Sequence, residues 1–496
     1  MKILFVFSNY APVGGGGIPI GLSILINIAK QKGHDVKLFD TSYKIRTETY
    51  QQQTNFVKTK EHYNYNAERE YLENELVRVF RDEVNKFCPK LICFSTLTPT
   101  HELALSLLNG LDKSKDQLVI FGGIHSTVIP EEVIMHEKVD IVCVGEGEKA
   151  FSSLLVHLSG EKDYYGINNL WCKKNGEIVK NSIDNFLEPD LIPYSDCDLF
   201  DERHLYRSFK GKNMRSLRVE ISRGCVYKCS YCTNKNIQNM SKGKIPYFRY
   251  KSVDRCIEEF LFYKNILNLE MFYFKDEVFL MLPKKWLREF AKEYKAQINL
   301  PFFCQSSAKD INEENVKILK DMGCVAVAMG VEVGNEEFRK KVLNKPVSNA
   351  EIVSAVKLLR KNGIRITTYF MIGLPYETRE LIFDTIEFQR VLYSIGSSPT
   401  HINSFYPFPG CDMEVIAKKE GFINKNFEHN RSTTNAGLDM PQLSAVEIEG
   451  LLRTYAAYTR VDKWMYPIIE LCEAGDRTGV QILNIINEYY SERADQ

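Results

Sequence analysis

Short apolar runs alternating with amphipathic stretches organise the first 160 residues of this 496-residue chain. Lys2–Phe7, Asp35–Phe39, Lys90–Ser95, Gln117–Phe121 and Val139–Val144 are dense in Val, Ile, Leu and Phe, which predicts buried strands. Between them apolar positions recur at helical spacing, at Ile20, Ile24, Leu25 and Ile28 and again over Glu70–Phe87 and His101–Leu111. Strands separated by helices imply a parallel sheet covered on both faces. Residues 1–160 therefore read as a five-stranded doubly wound α/β domain, whose ligand belongs at the C-terminal ends of the strands. Arg46–Arg69 is polar and without period, and is expected to be an insertion or lid over the sheet edge. Residues 161–214 lack a regular pattern, and Pro189, Pro193 and the acidic Asp196–Glu202 stretch predict an extended linker.

Alternation resumes at Leu217. Strands are predicted at Leu217–Ser222, Leu269–Phe274, Pro301–Gln305, Val325–Val331, Ile364–Ile372 and His401–Tyr406. Helical stretches separate them at Val253–Lys264, Lys284–Lys295, Glu313–Met322, Ala350–Asn362 and Leu381–Leu392. This series of β/α units predicts a partial barrel over 215–435, with reacting groups at the C-terminal mouth. Polar or glycine residues follow each strand: Ser222-Arg223-Gly224, Asp276-Glu277, Gln305-Ser306, Glu332, Gly373-Leu374-Pro375 and Tyr406-Pro407. Residues 436–496 read as helical, over Val446–Tyr458, Tyr466–Glu473 and Val480–Tyr490, with Tyr455, Tyr458, Trp464 and Tyr466 expected to pack.

The chemistry concentrates after the first strand of the second half. Cys225, Cys229 and Cys232 stand at spacing C-x3-C-x2-C on a loop that opens with Gly224. Three thiolates this close bind a soft metal or an iron–sulfur cluster. The next cysteine is Cys256 and the next histidine His401, so the four ligands of structural zinc are not at hand. Three ligands on a four-iron cluster leave one iron open to a substrate or cofactor.

Composition narrows the setting. Lys+Arg and Asp+Glu both number 64, which gives bulk charge no part in attracting nucleic acid or membrane. No apolar run reaches the length of a membrane span, and Lys2–Phe7 is too short for a signal peptide. Most of the thirteen cysteines, such as Cys93, Cys143 and Cys324, are isolated in apolar runs and expected to be reduced, which suits the cytoplasm.

The Cys225–Cys232 loop, with aromatic Tyr231 before its third cysteine, resembles the signature of the radical S-adenosylmethionine (SAM) superfamily. That resemblance covers roughly residues 215–435. It implies that Cys225, Cys229 and Cys232 hold a [4Fe-4S] cluster whose open iron chelates the amino and carboxylate groups of SAM. It also implies that Asp276 or Glu277 meets the methionyl amino group. Gln305 and Glu332 would stand along SAM, with Gly373, Leu374 and Pro375 near adenine. Some relatives carry an arginine after the polar pair of the third strand, where this chain has Ser306-Ser307-Ala308.

The first domain has several glycine-bearing strand ends, at Gly14, Gly15 and Gly16, at Gly122-Gly123 and at Gly145-Glu146-Gly147. Neither the G-x-G-x-x-G dinucleotide fingerprint nor a P-loop is met. Gly122-Gly123-Ile124-His125 together with Gly145-Glu146-Gly147-Glu148 resembles the cobalamin (B12)-binding domain fused to many radical SAM enzymes. That implies cobalamin on these residues. The Asp-x-His-x-x-Gly motif that supplies an axial imidazole in some cobalamin proteins is absent. His101 and His125 are expected to serve as hydrogen-bonding loop residues, with His125 beside the cofactor.

The activity implied is reductive cleavage of SAM to a 5′-deoxyadenosyl radical that takes hydrogen from a small-molecule, peptide or lipid substrate. Methylation of an unactivated carbon through methylcobalamin is the favoured outcome. Rearrangement, cyclisation or coupling by the same machinery is the alternative, and a zinc- or nucleic-acid-binding module is the reading from another class. The electron would come from an external low-potential donor of flavodoxin or ferredoxin type.

Overall fold

The computed structural model describes residues 1–9, 17–44, 65–184, 186–209, 211–240, 246–398, 402–427 and 435–494. Gly14, Gly15 and Gly16 lie outside the described residues, as does most of the Arg46–Arg69 insertion. The chain forms two compact units, one of Met1–Arg223 with Asn236–Tyr273, the other of Gly224–Lys235 with Phe274–Gln496.

The first unit is built on a sheet of order β2-β1-β3-β4-β5-β6-β7. Its parallel strands are β1 (Lys2–Phe7), β2 (Asp35–Asp40), β3 (Leu91–Ser95), β4 (Leu118–Gly122) and β5 (Ile141–Cys143), close to the five expected. Helices α1 (Ile20–Gln31), α2 (Tyr65–Phe87), α3 (Thr98–Asn109) and α4 (Glu148–Ser159) stand between or after them. Their apolar faces bury Phe39, Phe80, Phe94, Leu103 and Phe121, with Phe94 stacked on Phe121 at 4.6 Å. The sheet differs from expectation at one edge. The antiparallel hairpin of β6 (Leu170–Lys174) and β7 (Glu177–Lys180) extends it to seven strands. Asn175 and Gly176 join the pair with positive φ at both positions, as a tight turn between right-twisted strands requires.

The same unit holds a second hairpin, β8 (Tyr206–Phe209) with β9 (Lys212–Val219), which begins inside the stretch expected to be an extended linker. Beyond it Ser222–Arg223 (β10) pairs antiparallel with Arg249–Tyr250 (β11), and α5 (Val253–Leu267) leads to β12 (Met271–Phe274).

In the second unit, after α6 (Lys284–Glu293), strands β13 (Phe302–Gln305), β14 (Cys324–Glu332), β15 (Arg365–Ile372) and β16 (Ile402–Ser404) pair in that order. All run parallel, through Cys304↔Val327, Val327↔Ile366 and Phe370↔Ile402. Parallel neighbours need crossovers, supplied by α7 (Glu313–Met322), α8 (Asn349–Lys361) and α9 (Arg379–Ser394). Each starts at a side-chain cap, Asn312, Ser348 or Thr378, so every strand's C-terminal end is followed by a defined turn. After α10 (Asp412–Lys419), helices α11 (Ala445–Tyr458), α12 (Tyr466–Leu471) and α13 (Arg477–Ala494) close the chain. Tyr455 and Tyr458 are buried there, but Trp464 is 73% exposed and does not pack as expected.

Candidate active site

The cysteine loop leaves Gly224 with φ +89° and is tied down by its own backbone. Ser230 N donates to Leu343 O (3.0 Å), Ser230 Oγ to Val342 O (2.7 Å) and Asn344 Nδ2 to Lys228 O (2.8 Å). Met413 N, on α10, donates to Ser230 O (3.1 Å). Tyr227 Oη donates to Asp310 Oδ2 (2.9 Å), which fixes the loop's other end. A loop with this many fixed points presents its side chains without a large ordering cost when a ligand arrives.

Cys225, Cys229 and Cys232 line one cavity of about 330 Å³ together with Tyr231, Glu277, Gln305, Glu332 and Lys345. It opens at the C-terminal ends of β13, β14 and β15, and of the anticipated Asp276–Glu277 pair Glu277 lines it while Asp276 stays buried outside the lining. Ser306 lines the cavity too, and its Oγ is buried with no hydrogen-bond partner among the described residues. A buried hydroxyl left unsatisfied costs free energy. Burial pushes the Cys225 thiol up to about 12 and raises those of Cys229 and Cys232. The Lys345 ammonium counteracts that rise at Cys229. Iron binding as thiolate would release these protons.

Glu332 closes β14 in an uncommon conformation. Its φ is +74°, and the register with β15 slips between Gly330 and Glu332. The bulge turns the carboxylate back over Gly330, so close that a Cβ at position 330 would collide with Oε1. There Tyr231 Oη donates to Glu332 Oε1 (2.9 Å), and Lys345 Nζ donates to the same oxygen (2.7 Å) and to Tyr231 Oη (3.2 Å). The lone carboxylate at the strand end thus has its partner. Lys345 carried no periodic signal, because it lies in the Asn344-Lys345-Pro346 turn and reaches the site only through the fold.

Gly373, Leu374 and Pro375 do not line this cavity. Gly373 N (2.6 Å) and Leu374 N (3.0 Å) donate to Oε2 of the fully buried Glu377, and a Cβ on Gly373 would sit 3.2 Å from Ile448 of α11. Burial raises the Glu377 carboxyl to about 8 although both N–H groups oppose it. Its protonated form is therefore the one that fits the fold. Stability from this group is complete below the ordinary value of 4.5 and is lost as pH rises through about 8. We expect unfolding free energies from urea titrations to fall from pH 5 to 8 by up to about 1.4 kcal/mol per pH unit in excess of a Glu377→Gln variant. Equal slopes in the two proteins would contradict this assignment. Cys304 is fully buried beside Cys324.

In the first unit the anticipated cofactor residues gather after β4 and β5. Gly123 has φ +93°, and a Cβ there would lie 2.5 Å from Thr96 O, so only glycine lets β3 and β4 close up at this edge. Gly122 ends β4, and Gly145 N donates to Thr127 Oγ1 (3.0 Å). His125 is buried, with Nδ1 at 3.2 Å from Thr98 Oγ1 and its ring 3.9 Å from that of His101. It is engaged within the protein. Glycine turns at the C-terminal edge of a parallel sheet suit a large flat cofactor approached by backbone.

Glu146 and Glu148 hold ion pairs that the sequence did not disclose. Arg223 Nη1 meets Glu148 Oε1 at 2.7 Å and Glu146 Oε2 at 3.4 Å, while its Nε donates to Glu220 Oε2 (2.8 Å). Arg249 forks onto Glu146 and donates to Leu187 O (2.9 Å). Burial would raise the Glu148 carboxyl, but the Arg223 guanidinium beside it holds it below the ordinary carboxylate value.

Residues 219–388 match the radical SAM superfamily model and residues 9–155 the B12-binding domain model. Over 462 residues, and 91% of each chain, the sequence is 25% identical to an uncharacterized methyltransferase, PH0819, of Pyrococcus horikoshii. The fold is similar to that of the radical SAM methyltransferase TsrM from Kitasatospora setae, solved with cobalamin and a [4Fe-4S] cluster (TM-score 0.56, 16% identity, 86% of this chain and 79% of that one). It is also similar to the cobalamin-dependent SAM radical enzyme OxsB, solved with aqua-cobalamin (TM-score 0.62, 14% identity, 99% and 75%). The two matched domains carry the cofactor set, [4Fe-4S], SAM and cobalamin. The chain thus carries a radical SAM domain over residues 219–388 and a B12-binding domain over residues 9–155, as an enzyme of the cobalamin-dependent radical SAM type.

Proposed function

We propose that this enzyme methylates an unactivated carbon, using one SAM as methyl source for cobalamin and another as radical source. The observation that carries the reading is the single cavity on which three cysteines meet the Tyr231–Glu332–Lys345 cluster, in a chain that also has a B12-binding domain. When bound, the cluster, SAM and cobalamin supply the electron transfer, the hydrogen-abstracting radical and the methyl group. The chain's own residues do the rest. Cys225, Cys229 and Cys232 would hold the cluster and leave one iron open. Glu277, Gln305 and Glu332 offer acceptors to the amino and hydroxyl groups of SAM, and the loop's fixed points hold those acceptors in place.

Two similar proteins carry methyltransferase in their names, which favours methyl transfer over the rearrangement, cyclisation or coupling outcome. An external low-potential flavodoxin- or ferredoxin-type donor would supply the electron. The thirteen unpaired cysteines suit the reducing cytoplasm, and among the described residues no helix is long and apolar enough to cross a membrane. The substrate is a small molecule, peptide or lipid. The test is product analysis on the reconstituted enzyme with SAM and reductant. S-adenosylhomocysteine should accumulate beside 5′-deoxyadenosine, and only when cobalamin is present. 5′-Deoxyadenosine alone, with cobalamin loaded, would favour the non-methylating outcome.

A further inference from the structure

Arg207 and Arg218 stand on one face of the β8–β9 hairpin. Arg207 pairs with Met214 across the ladder and Arg218 lies four positions further along β9, so both side chains leave the same side. Both guanidiniums reach the ring of Tyr273, with Cζ at 4.3 Å from its centroid for Arg207 and 6.0 Å for Arg218. An aromatic face holds a cation but does not neutralise it. Among the described residues the Arg218 guanidinium makes no salt bridge or hydrogen bond, and no carboxylate acts on its charge. Burial and the like charge of Arg207 lower it from its ordinary value. A half-buried cation facing a second cation is costly until an anion joins them.

The chain also fixes where this charge stands. A Cβ on Gly17 would lie 2.6 Å from Arg218 Nε and 3.0 Å from its Cζ, so the guanidinium rests against glycine backbone just before α1. In a doubly wound domain the helix after a strand begins at the sheet's C-terminal edge, which is the edge that binds ligands. Arg218 also stands seven positions before Cys225, on the strand that runs into the cysteine loop. A side chain tied by contact to the first place and by the chain to the second suits an anchor for substrate.

A guanidinium presents its N–H donors as a fork that fits phosphate oxygens bidentately. Two cations on one face match the double charge of a phosphate monoester or phosphonate better than the single charge of a carboxylate. We propose that Arg218, with Arg207 beside it, binds a phosphoryl or phosphonyl group of the substrate. This narrows the substrate to a molecule that carries such a dianion. The assignment to substrate rests on the methyl-transfer reading, whereas the anion site rests on the hairpin alone.

Equilibrium dialysis of radiolabelled inorganic phosphate against the full chain, loaded with cluster and cobalamin under argon at fixed ionic strength, tests it. Wild type should bind phosphate saturably, and acetate at equal concentration should not displace it. Arg218→Gln should weaken that binding about tenfold or more, since a forked, charge-assisted contact is lost, and Arg218→Lys should fall between the two. Absence of saturable binding in wild type, unchanged affinity in Arg218→Gln, or displacement by acetate would overturn the proposal. Iron content and melting temperature, measured on every sample, separate loss of the site from loss of the fold. Cobalamin carries a phosphodiester of its own, so titrations with hydroxocobalamin and with cobinamide, which lacks that group, form the second arm. Arg218→Gln should leave both affinities within about threefold. A loss confined to hydroxocobalamin would assign the arginine to the cofactor and overturn the proposal. Phosphate binding by a wild-type protein that forms no S-adenosylhomocysteine from SAM would overturn the methyl-transfer reading, and with it the assignment to substrate, while the anion site stood.

Discussion

Replacing Cys229 by alanine should abolish formation of 5′-deoxyadenosine and strip most of the iron, whereas the fold should survive. The cavity gives the reason. Cys229 is one of three thiols on its wall, and its backbone carbonyl accepts from Cys232 N at 3.1 Å, so the thiol occupies a fixed place within the loop. Its removal leaves two ligands for a cluster that needs three from the protein to keep one iron open. The loop itself is held elsewhere, by Ser230, Asn344 and Tyr227, so the far-ultraviolet spectrum and melting temperature of the iron-free proteins should match within a few degrees. A Cys229→Ala protein that still forms 5′-deoxyadenosine at a tenth of the wild-type rate or more would remove Cys229 from the ligand set.

The second large effect concerns stability. Arg223→Ala should lower the stability of the first unit by about 3–5 kcal/mol, because it leaves Glu148 buried without its closest counter-charge. Only 7% of the Glu148 side chain and 13% of that of Arg223 reach solvent, so water screens the loss poorly. For a domain of this size the loss corresponds to a fall in Tm of roughly 10 °C. The double variant Arg223→Met, Glu148→Gln should recover part of it, since the stranded charge is gone. The pH sign follows from the depressed Glu148 carboxyl: the contribution is complete above the ordinary value of 4.5 and is lost as pH falls below it. A single Arg223→Ala variant that melts within about 2 °C of wild type would show that the ion pair is dispensable.

Arg223 also shows where reading the chain alone stops. The cysteine loop was legible because its information is local: three thiols, one glycine and one aromatic at short spacing after an apolar strand. The parallel strands were legible because buried strands are nearly continuous apolar runs, as in Leu91–Ser95 and Leu118–Gly122. The hairpin of β6 and β7 was missed although Asn175-Gly176 is a strong two-residue turn signal, because three of its nine strand positions are lysines and the segment lacks apolar density. Lys345 and Glu377 escaped notice for a different reason. Lys345 meets Tyr231 across 114 positions of sequence, and no spacing rule connects residues so far apart. The same limit applies to Glu146 and Glu148, whose glycine context pointed to a cofactor while the fold also uses them to hold Arg223 and Arg249.

The Glu332 bulge links these layers. A positive φ at a non-glycine residue is costly, and here it places a carboxylate where Tyr231 and Lys345 both reach it. The loop that carries the cysteines and the strand that carries Glu332 are thus joined by one hydrogen-bonded cluster at the cavity wall.

The central claim is that Cys225, Cys229 and Cys232 hold a four-iron cluster with one iron open to SAM. Its most direct test is electron paramagnetic resonance of the anaerobically reconstituted and reduced protein, with and without SAM, alongside metal analysis. The account predicts about four iron and four sulfide per chain and a reduced-cluster signal whose shape changes when SAM is added. Zinc in place of iron, or a cluster signal indifferent to saturating SAM, would contradict it.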